Sequence, residues 1–202
     1  MGDELYLLTG AAGLLGGNIL VQLIAKGARV RALVLPNDPA LANMPWEAEI
    51  IEGDLLDGAA LDRFFAVPAD SEVIVIHAAS IVTLDPRPNE KVRAVNVDGT
   101  RNIVDRCLRY KVKKLVYVSS TGAIPELPRA QAIREVERYD SDRVIGYYAK
   151  TKATPPSSRS AARWHPSARC SAPRTGRSHR DIETGRGCIP PPPSVRACKR
   201  GR

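Results

Sequence analysis

Tyr148 and Lys152 stand four residues apart in a stretch with helical character. Side chains at this spacing project from one face of a helix and reach each other. A nearby ammonium group favours the phenolate form of a tyrosine, which suits a side chain that passes a proton to or from a substrate oxygen. The spacing alone does not identify such a pair, because Tyr110 and Lys114 share it just before a predicted strand. An amphipathic surface pair is the alternative interpretation.

A glycine-rich turn, residues 9–16, follows the first predicted strand and opens the first predicted helix. Gly10 permits the tight turn, Gly13 lets the backbone approach a pyrophosphate closely, and Gly16 permits packing of the helix against the strand. The N-terminus of that helix adds free N–H groups and a positive dipole. The turn therefore predicts a dinucleotide site, with a flexible turn that binds nothing as the alternative.

The end of the second predicted strand should distinguish the two nicotinamide dinucleotides. A carboxylate there would bind the ribose hydroxyls of adenosine, whereas an arginine would accept a 2′-phosphate. Residues 34–36 are Val-Leu-Pro and supply neither group, and Asn37 or Asp38 could serve only if the loop folds back. NAD and NADP both stay open, with a preference for NAD because no basic residue is suitably placed.

Two further sets of polar residues follow predicted strands. Asp54, at the tip of the third strand, could accept a hydrogen bond from the adenine amino group or serve as a loop or N-cap aspartate. Ser119, Ser120 and Thr121 follow the fifth strand, at the edge of the sheet where ligands of open α/β folds bind. A hydroxyl there could polarise a substrate carbonyl, or it could bond its own backbone in a turn.

Apolar runs alternate with helical patterns along residues 5–153, which predicts an α/β fold with a doubly wound, Rossmann-like parallel sheet. The predicted strands are residues 5–8, 28–35, 48–52, 72–77 and 114–119. The predicted helices are residues 14–26, 58–65 and 143–153, with a long helical pattern over 92–108.

Six motifs in this order resemble the extended branch of the short-chain dehydrogenase/reductase superfamily, which includes nucleotide-sugar epimerases and dehydratases, hydroxysteroid dehydrogenases and dihydroflavonol-type reductases. The resemblance covers about residues 1–152. The motifs are Thr9-Gly10-x-x-Gly13-x-x-Gly16, Gly53-Asp54-Leu55, His77-Ala78-Ala79, Asn96-Val97-x-Gly99-Thr100, Tyr117-Val118-Ser119-Ser120-Thr121 and Tyr148-x-x-x-Lys152.

The resemblance implies roles for particular residues. Tyr148 would be the acid/base, and Lys152 would hold the nicotinamide ribose and tune Tyr148. Thr121 would occupy the catalytic Ser/Thr position, with Ser120 as the alternative for that hydroxyl. The cofactor would be lined by Gly10, Ala12, Gly13, Leu14, Leu15, Gly16, Asp54, Leu55, Ala78, Ala79, Tyr148 and Lys152.

The activity implied is that of an NAD(P)-dependent oxidoreductase, which transfers hydride between a nicotinamide and a hydroxyl or carbonyl of a small molecule. A sugar-nucleotide epimerase or dehydratase of the same superfamily is the first alternative. A non-catalytic nucleotide-binding fragment is the second.

Composition divides the chain at Lys152. Residues 1–152 carry 19 basic and 20 acidic residues and 17 leucines, whereas residues 153–202 carry 11 basic and 2 acidic residues and no leucine. We therefore predict a Rossmann-like domain over 1–152, incomplete at its C-terminal side, and a disordered Arg/Pro/Ser-rich tail over 153–202. A reading-frame shift near Ala153 would explain the change in composition, and the domain would then be marginally stable with an exposed sheet edge.

The net charge of +8 suggests nucleic-acid binding, but the excess lies in the tail, which lacks aromatic interleaving apart from Trp164. We therefore expect a small-molecule substrate and no nucleic-acid partner. The spacing of His and Cys residues fits no common zinc pattern, so no metal is predicted. Glycines and polar residues interrupt the apolar stretch near the N-terminus and acidic residues precede it, which predicts a cytoplasmic protein without a membrane segment. A homodimer is kept as an open prediction.

Overall fold

The central sheet has five strands, which are β1 (Glu4–Thr9), β2 (Arg29–Val34), β3 (Glu49–Glu52), β4 (Glu72–His77) and β5 (Lys114–Tyr117). They lie in the order β3-β2-β1-β4-β5, and every pairing is parallel. The computed structural model describes residues 4–128, 134, 136 and 138–154. The tail predicted to be disordered lies outside these residues beyond Thr154. The predicted doubly wound parallel sheet is confirmed.

The main helices are α1 (Leu14–Ala25), α2 (Gly58–Phe65), α3 (Glu90–Arg93), α4 (Thr100–Arg109) and α5 (Tyr147–Ala153). A π-helical segment, Ala94–Gly99, joins α3 to α4 without a break. Short 3-10 helices span Pro39–Asn43, Thr121–Ala123 and Ser141–Arg143. Within the described part of the chain, no helix is both long and apolar enough to cross a membrane.

The sheet is covered by helices on both faces. On one face, Leu7 and Val75 pack with apolar residues of α2 and α4, including Phe64 and Ile103. On the other face, Leu8, Val30 and Ala32 pack against α1 around Leu20. Because strands buried on both faces carry few polar groups, they form the near-continuous apolar runs that the sequence shows.

One row of residues crosses the sheet at its carboxyl edge. In the parallel register Thr9 lies opposite Leu33 on one side and His77 on the other, and His77 lies opposite Tyr117. Residues opposite each other in a parallel pair point to the same face, so the side chains of Thr9, His77 and Tyr117 lie side by side. This row connects the glycine turn to the end of β5.

The helix that carries Tyr148 and Lys152 is shorter than the sequence pattern predicts. The pattern favours a helix over 143–153, but α5 begins only at Tyr147. Gly146 has φ of +89°, and Val144 is extended with φ of −112° and ψ of 152°. A left-handed residue cannot continue an α-helix, so the chain turns at Gly146 before α5 starts.

Candidate functional site

The glycine turn brings β1 and α1 into close contact. Gly10 has φ of +77°, and a Cβ atom there would lie 2.6 Å from the backbone nitrogen of Ala79. A Cβ atom at Gly16 would lie 1.9 Å from the carbonyl oxygen of Gly10. A side chain at either position would therefore collide with the protein backbone, whether or not a ligand is bound.

Gly13 is different, because the protein itself leaves room for a side chain there. The nearest atom to a Cβ at Gly13 would be the Gly10 carbonyl oxygen, at an ordinary contact distance of 3.4 Å. Gly13 is the N-cap of α1, and no side chain caps that helix N-terminus. The uncapped N–H groups of a first helical turn attract anions. The space at Gly13 is therefore available to a ligand that approaches the backbone.

A cavity of about 520 Å³ opens at the carboxyl ends of β1, β2, β3 and β4. Seven of the predicted cofactor-lining residues line it: Gly10, Ala12, Gly13, Asp54, Leu55, Ala78 and Ala79. Gly16 packs against Gly10 instead, and the side chains of Leu14 and Leu15 are 90% and 52% exposed without lining the cavity. Tyr148, Lys152, Ser120 and Thr121 also lie outside its lining.

The loop after β2 folds back toward this cavity. Asn37 has φ of +59°, and the Asp38 amide donates a hydrogen bond to the Leu35 carbonyl at 3.2 Å. Asp38 caps the Pro39–Asn43 helix through its Oδ1, which accepts from the Ala40 amide at 2.9 Å, and it lines the cavity. The loop therefore folds back, which is the condition under which the sequence allowed Asp38 to reach the adenosine ribose. An N-cap aspartate followed by proline at N1 was the local signal for this turn.

Asp54 occupies the tip of β3 at the cavity wall. One carboxylate oxygen accepts a hydrogen bond from the Leu56 amide at 2.9 Å. The N-cap of α2 is Asp57 rather than Asp54. Asp54 therefore stabilises its own loop while lining the cavity.

A chain of buried hydrogen bonds runs behind the cavity. The Ala79 amide donates to Thr9 Oγ1 at 3.3 Å, and Thr9 Oγ1 lies 2.7 Å from His77 Nδ1. His77 Nε2 lies 3.0 Å from Thr100 Oγ1, which donates to the Asn96 carbonyl at 2.7 Å. Each ring nitrogen of His77 is therefore engaged by a threonine hydroxyl. Burial lowers the pKa of His77 to about 3, so the ring is neutral at physiological pH.

Asn96 connects the cavity wall to α5. Its side-chain oxygen accepts from the Ile81 amide at 2.8 Å, and its Nδ2 donates to the Ile81 carbonyl at 2.9 Å and to Thr151 Oγ1 at 3.1 Å. The Thr151 hydroxyl in turn donates to the Tyr148 carbonyl at 2.7 Å. Ile81 lines the cavity. The side-chain amide of Asn96 therefore connects α5 to the wall of this cavity.

Lys152 lies on α5 and is 4% exposed. Its ammonium group is close to the carboxyl end of β5. Its Nζ donates to the Val118 carbonyl at 3.1 Å and lies 4.8 Å from the centre of the Tyr117 ring. Burial lowers the pKa of Lys152 to about 8. Burial also raises the pKa of Tyr117 to about 12, with nearby Tyr148 as a further cause. The ammonium group of Lys152 therefore sits in a weakly solvated position beside the Tyr117 ring.

The three hydroxyl residues after β5 differ in their contacts. Ser120 Oγ accepts from the Gly122 amide at 3.2 Å and caps the Thr121–Ala123 helix, whereas Thr121 is exposed. Ser119 Oγ is buried and lacks a hydrogen-bond partner among the described residues. The short helix packs on α5, where Ala123 shares a buried cluster with Ala149 and Ala153. Ser120 therefore bonds the backbone of its own turn, which is the alternative that the sequence offered for these hydroxyls. Thr121 is exposed to solvent.

These features fit a dinucleotide. Gly13 leaves space at an uncapped helix N-terminus, Asp38 and Asp54 place carboxylates at the cavity wall, and Lys152 keeps ammonium protons beyond the one that Val118 accepts. Over residues 4–128 and 138–154, no three His, Cys, Asp or Glu side chains converge on a position suited to a metal ion. The arrangement can bind phosphates and ribose hydroxyls and move a proton at Tyr148.

Known proteins are similar to this chain in sequence. The chain is 29% identical over 150 residues to a 3 beta-hydroxysteroid dehydrogenase/Delta 5-->4-isomerase of Mycobacterium tuberculosis, covering 72% of this chain and 39% of that protein. It is 32% identical over 119 residues to sterol demethylase protein B of Methylococcus capsulatus, covering 58% of this chain and 35% of that protein. The chain thus spans less than half the length of these relatives.

Solved structures of the same superfamily share the fold. The UDP-glucose 4-epimerase of Thermus thermophilus in complex with NAD superposes with a TM-score of 0.57 at 29% identity, covering 74% of this chain and 47% of that one. A short-chain dehydrogenase/reductase superfamily protein from Agrobacterium tumefaciens with bound NAD gives a TM-score of 0.55 at 25% identity, covering 73% and 42%. The resemblance to the extended short-chain dehydrogenases/reductases is confirmed. Residues 7–156 match a single family over most of the chain, and the protein accordingly belongs to the 3-beta hydroxysteroid dehydrogenase/isomerase family.

Proposed function

We propose that this chain supplies the cofactor-binding and proton-transfer half of an NAD(P)-dependent oxidoreductase that acts on a hydroxyl or carbonyl of a small molecule. The observation that carries the proposal is the buried ammonium group of Lys152, one helical turn from Tyr148, at the same sheet edge as the glycine turn. An uncompensated buried charge is costly, and such groups concentrate at functional sites.

The dinucleotide would lie along the cavity with its pyrophosphate at Gly13 and the first turn of α1. Asp38 and Asp54 would bind its adenosine end. A carboxylate accepts hydrogen bonds from ribose hydroxyls and repels a 2′-phosphate, so Asp38 supports NAD over NADP. Lys91 also lines the cavity, but it does so from α3 and not from the β2 loop that presents Asp38.

When bound, the nicotinamide supplies or accepts hydride. Tyr148 would give a proton to the substrate oxygen during reduction and take it back during oxidation. The Lys152 ammonium would bind the nicotinamide ribose and stabilise negative charge on the Tyr148 oxygen. Thr121 would hold the substrate oxygen with its exposed hydroxyl, with Ser120 as the alternative.

Two other functions have support. The similarity to an epimerase in complex with NAD favours the same machinery used for epimerisation or dehydration, in which the cofactor is restored in each turnover. The coverage of less than half of the relatives' lengths favours a nucleotide-binding unit without a complete substrate pocket.

The test is a turnover assay with the full chain, NAD⁺ or NADP⁺, and candidate substrates that include a 3β-hydroxysteroid and UDP-glucose. The dehydrogenase proposal predicts reduced cofactor in step with substrate oxidation, and Tyr148→Phe should lower kcat at least 100-fold. Tyr110→Phe is the matched control, because Tyr110 has the same spacing from a lysine but stacks on Phe65 on another part of the molecule. Product without accumulation of reduced cofactor would favour the epimerase, and cofactor binding without product would favour the binding unit.

Several predictions accompany this proposal. We infer a domain over residues 1–152, no requirement for a metal ion, no nucleic-acid partner and a cytoplasmic location. A homodimer remains an open prediction, which sedimentation of the purified chain would test.

A further inference from the structure

We propose that Tyr117 is a positioning residue for Lys152, and that the face of its ring holds the buried ammonium group at the carboxyl end of β5. The contact stands on the geometry alone. Its consequence for catalysis rests on the proposed function.

The ammonium group of Lys152 has few partners for a buried charge. Lys152 is 4% exposed, and its Nζ donates to the Val118 carbonyl at 3.1 Å. Within the described residues no carboxylate forms an ion pair with it. Transfer of an ammonium group from water to a site like this is unfavourable unless other groups stabilise the charge. The Tyr117 ring, whose centre lies 4.8 Å from Nζ, provides that stabilisation through its negative face.

The Tyr117 ring also packs against a second buried ring. It stacks on the His77 ring at 5.7 Å with an interplanar angle of 25°. His77 is held by Thr9 on one nitrogen and by Thr100 on the other. The ring therefore cannot move away from Lys152 without disturbing the hydrogen-bonded row that ends at the glycine turn.

The two groups near Lys152 with shifted pKa values, His77 and Tyr117, are uncharged at physiological pH, so the ring face adds to the Val118 carbonyl in stabilising the ammonium group. Burial, with a further contribution from Lys152, lowers the pKa of His77 on β4 to about 3. Burial raises the pKa of Tyr117 on β5 to about 12. The remaining phenols nearby are Tyr148 on α5 and Tyr139, which precedes it. A neutral His77 matters here because an imidazolium stacked on the same ring would repel the ammonium group.

The contact can be tested by NMR on the full 202-residue chain labelled with ¹³C at lysine Cε. The Lys152 signal is identified by its loss in Lys152→Met. Protons above an aromatic ring are shielded, so the Lys152 Hε protons should resonate upfield of those of the exposed lysines and show an NOE to the Tyr117 ring.

Two variants separate the ring from the hydroxyl. Tyr117→Phe keeps the ring face and should retain both the upfield signal and the titration midpoint of Lys152. Tyr117→Leu keeps an apolar side chain without the ring, so it should lose the upfield shift and lower the midpoint by roughly 0.5–1.5 pH units. If Tyr117 only supported the fold, its replacement would not produce this pattern, in which the titration midpoint of Lys152 falls in Tyr117→Leu and stays at the wild-type value in Tyr117→Phe.

The proposal is overturned if the wild-type Lys152 signal is not shifted upfield in the folded chain, or if Tyr117→Leu titrates like wild type. The first result needs no substitution at Tyr117, so a Tyr117 variant that fails to fold does not protect the proposal. Neither readout needs cofactor or turnover. An inactive chain with a shielded Lys152 would therefore refute the proposed function and leave the contact standing.

Discussion

At the scale of single residues, Lys152 combines a cost to the fold with a role in the proposed site. Its lowered pKa of about 8 means that the folded chain binds this proton less tightly than the unfolded chain does. The cost is fully present below pH 8. It is relieved as the pH rises from about 8 toward the ordinary lysine value of 10.5, because the folded chain releases this proton in that range while the unfolded chain still binds it.

Replacing Lys152 with methionine should therefore stabilise the chain at pH 7 while removing activity. We expect an increase in the free energy of unfolding of about 1–3 kcal/mol, which should shrink as the pH approaches 10. Urea titrations at pH 7 and pH 10 measure it. Lys150→Met is the control, because Lys150 is exposed on the same helix and should change stability by less than about 0.5 kcal/mol. A Lys152→Met chain less stable than wild type at pH 7 would contradict this account.

The glycines of the turn offer a second prediction at this scale. Gly16→Ala should destabilise the chain by about 1–3 kcal/mol, because its Cβ would overlap the Gly10 carbonyl oxygen. Gly13→Ala should leave the melting temperature within about 2 °C of wild type and weaken NADH binding at least 10-fold, because the new methyl group occupies space that only a ligand would use. Thermal melts and fluorescence titrations distinguish the two. Unchanged NADH affinity in Gly13→Ala would place the pyrophosphate elsewhere.

The candidate site residues could be predicted from the sequence, because each motif lies within a few consecutive residues of the chain. The folded-back loop at Asp38 depends on Asn37 adopting a positive φ, which asparagine tolerates but does not require. The contact between Tyr117 and Lys152 joins residues far apart in the chain, and no local pattern encodes it.

At the scale of elements, α5 is held by a few polar contacts and a small apolar cluster. Asn96, in the π-helical segment, binds both backbone groups of Ile81 and the Thr151 hydroxyl. A π-helical turn displaces one residue from the regular helical face, and such turns are frequent at functional sites. From this segment the Asn96 side chain reaches Thr151 on α5.

Asn96→Leu should loosen α5 and the loop around Ile81 together. The substitution leaves two part-buried backbone groups of Ile81 without their side-chain partner, which should cost about 1–3 kcal/mol and raise amide exchange over residues 147–153. Hydrogen exchange with mass spectrometry measures the change. Asn102→Leu is the matched control, since Asn102 donates to the Leu55 carbonyl from α4 and should affect only that loop. Equal exchange of α5 in both variants would show that Asn96 does not anchor it.

Element boundaries show where sequence patterns reach their limit. The helix at 58–65 and the strand at 72–77 were predicted with the bounds that the structure has, because a capping aspartate and a β-branched run mark them. The π-helical turn within the predicted helical pattern over 92–108 has no residue signature, since it differs from an α-helix only in hydrogen-bond spacing. The late start of α5 follows from the positive φ of Gly146, which its neighbours along the chain do not reveal.

At the scale of the whole molecule, the sheet edge collects groups from distant parts of the chain. Parallel strands end together, so β1, β4 and β5 bring Thr9, His77 and Tyr117 into one row. This arrangement links the glycine turn to Lys152 through packed side chains and hydrogen bonds. Binding of a dinucleotide at one end should therefore stabilise the whole row.

The central claim is that this row and the glycine turn form one NAD(P) site, and the most direct test is a titration of the full chain with NADH and with NADPH. Nicotinamide fluorescence and thermal melts are followed together. We expect saturable binding, tighter for NADH than for NADPH because of Asp38, and stabilisation by about 2.7 kcal/mol at 100 times Kd. Absence of saturation for both dinucleotides, with no rise in melting temperature for a chain that melts cooperatively, would contradict the account.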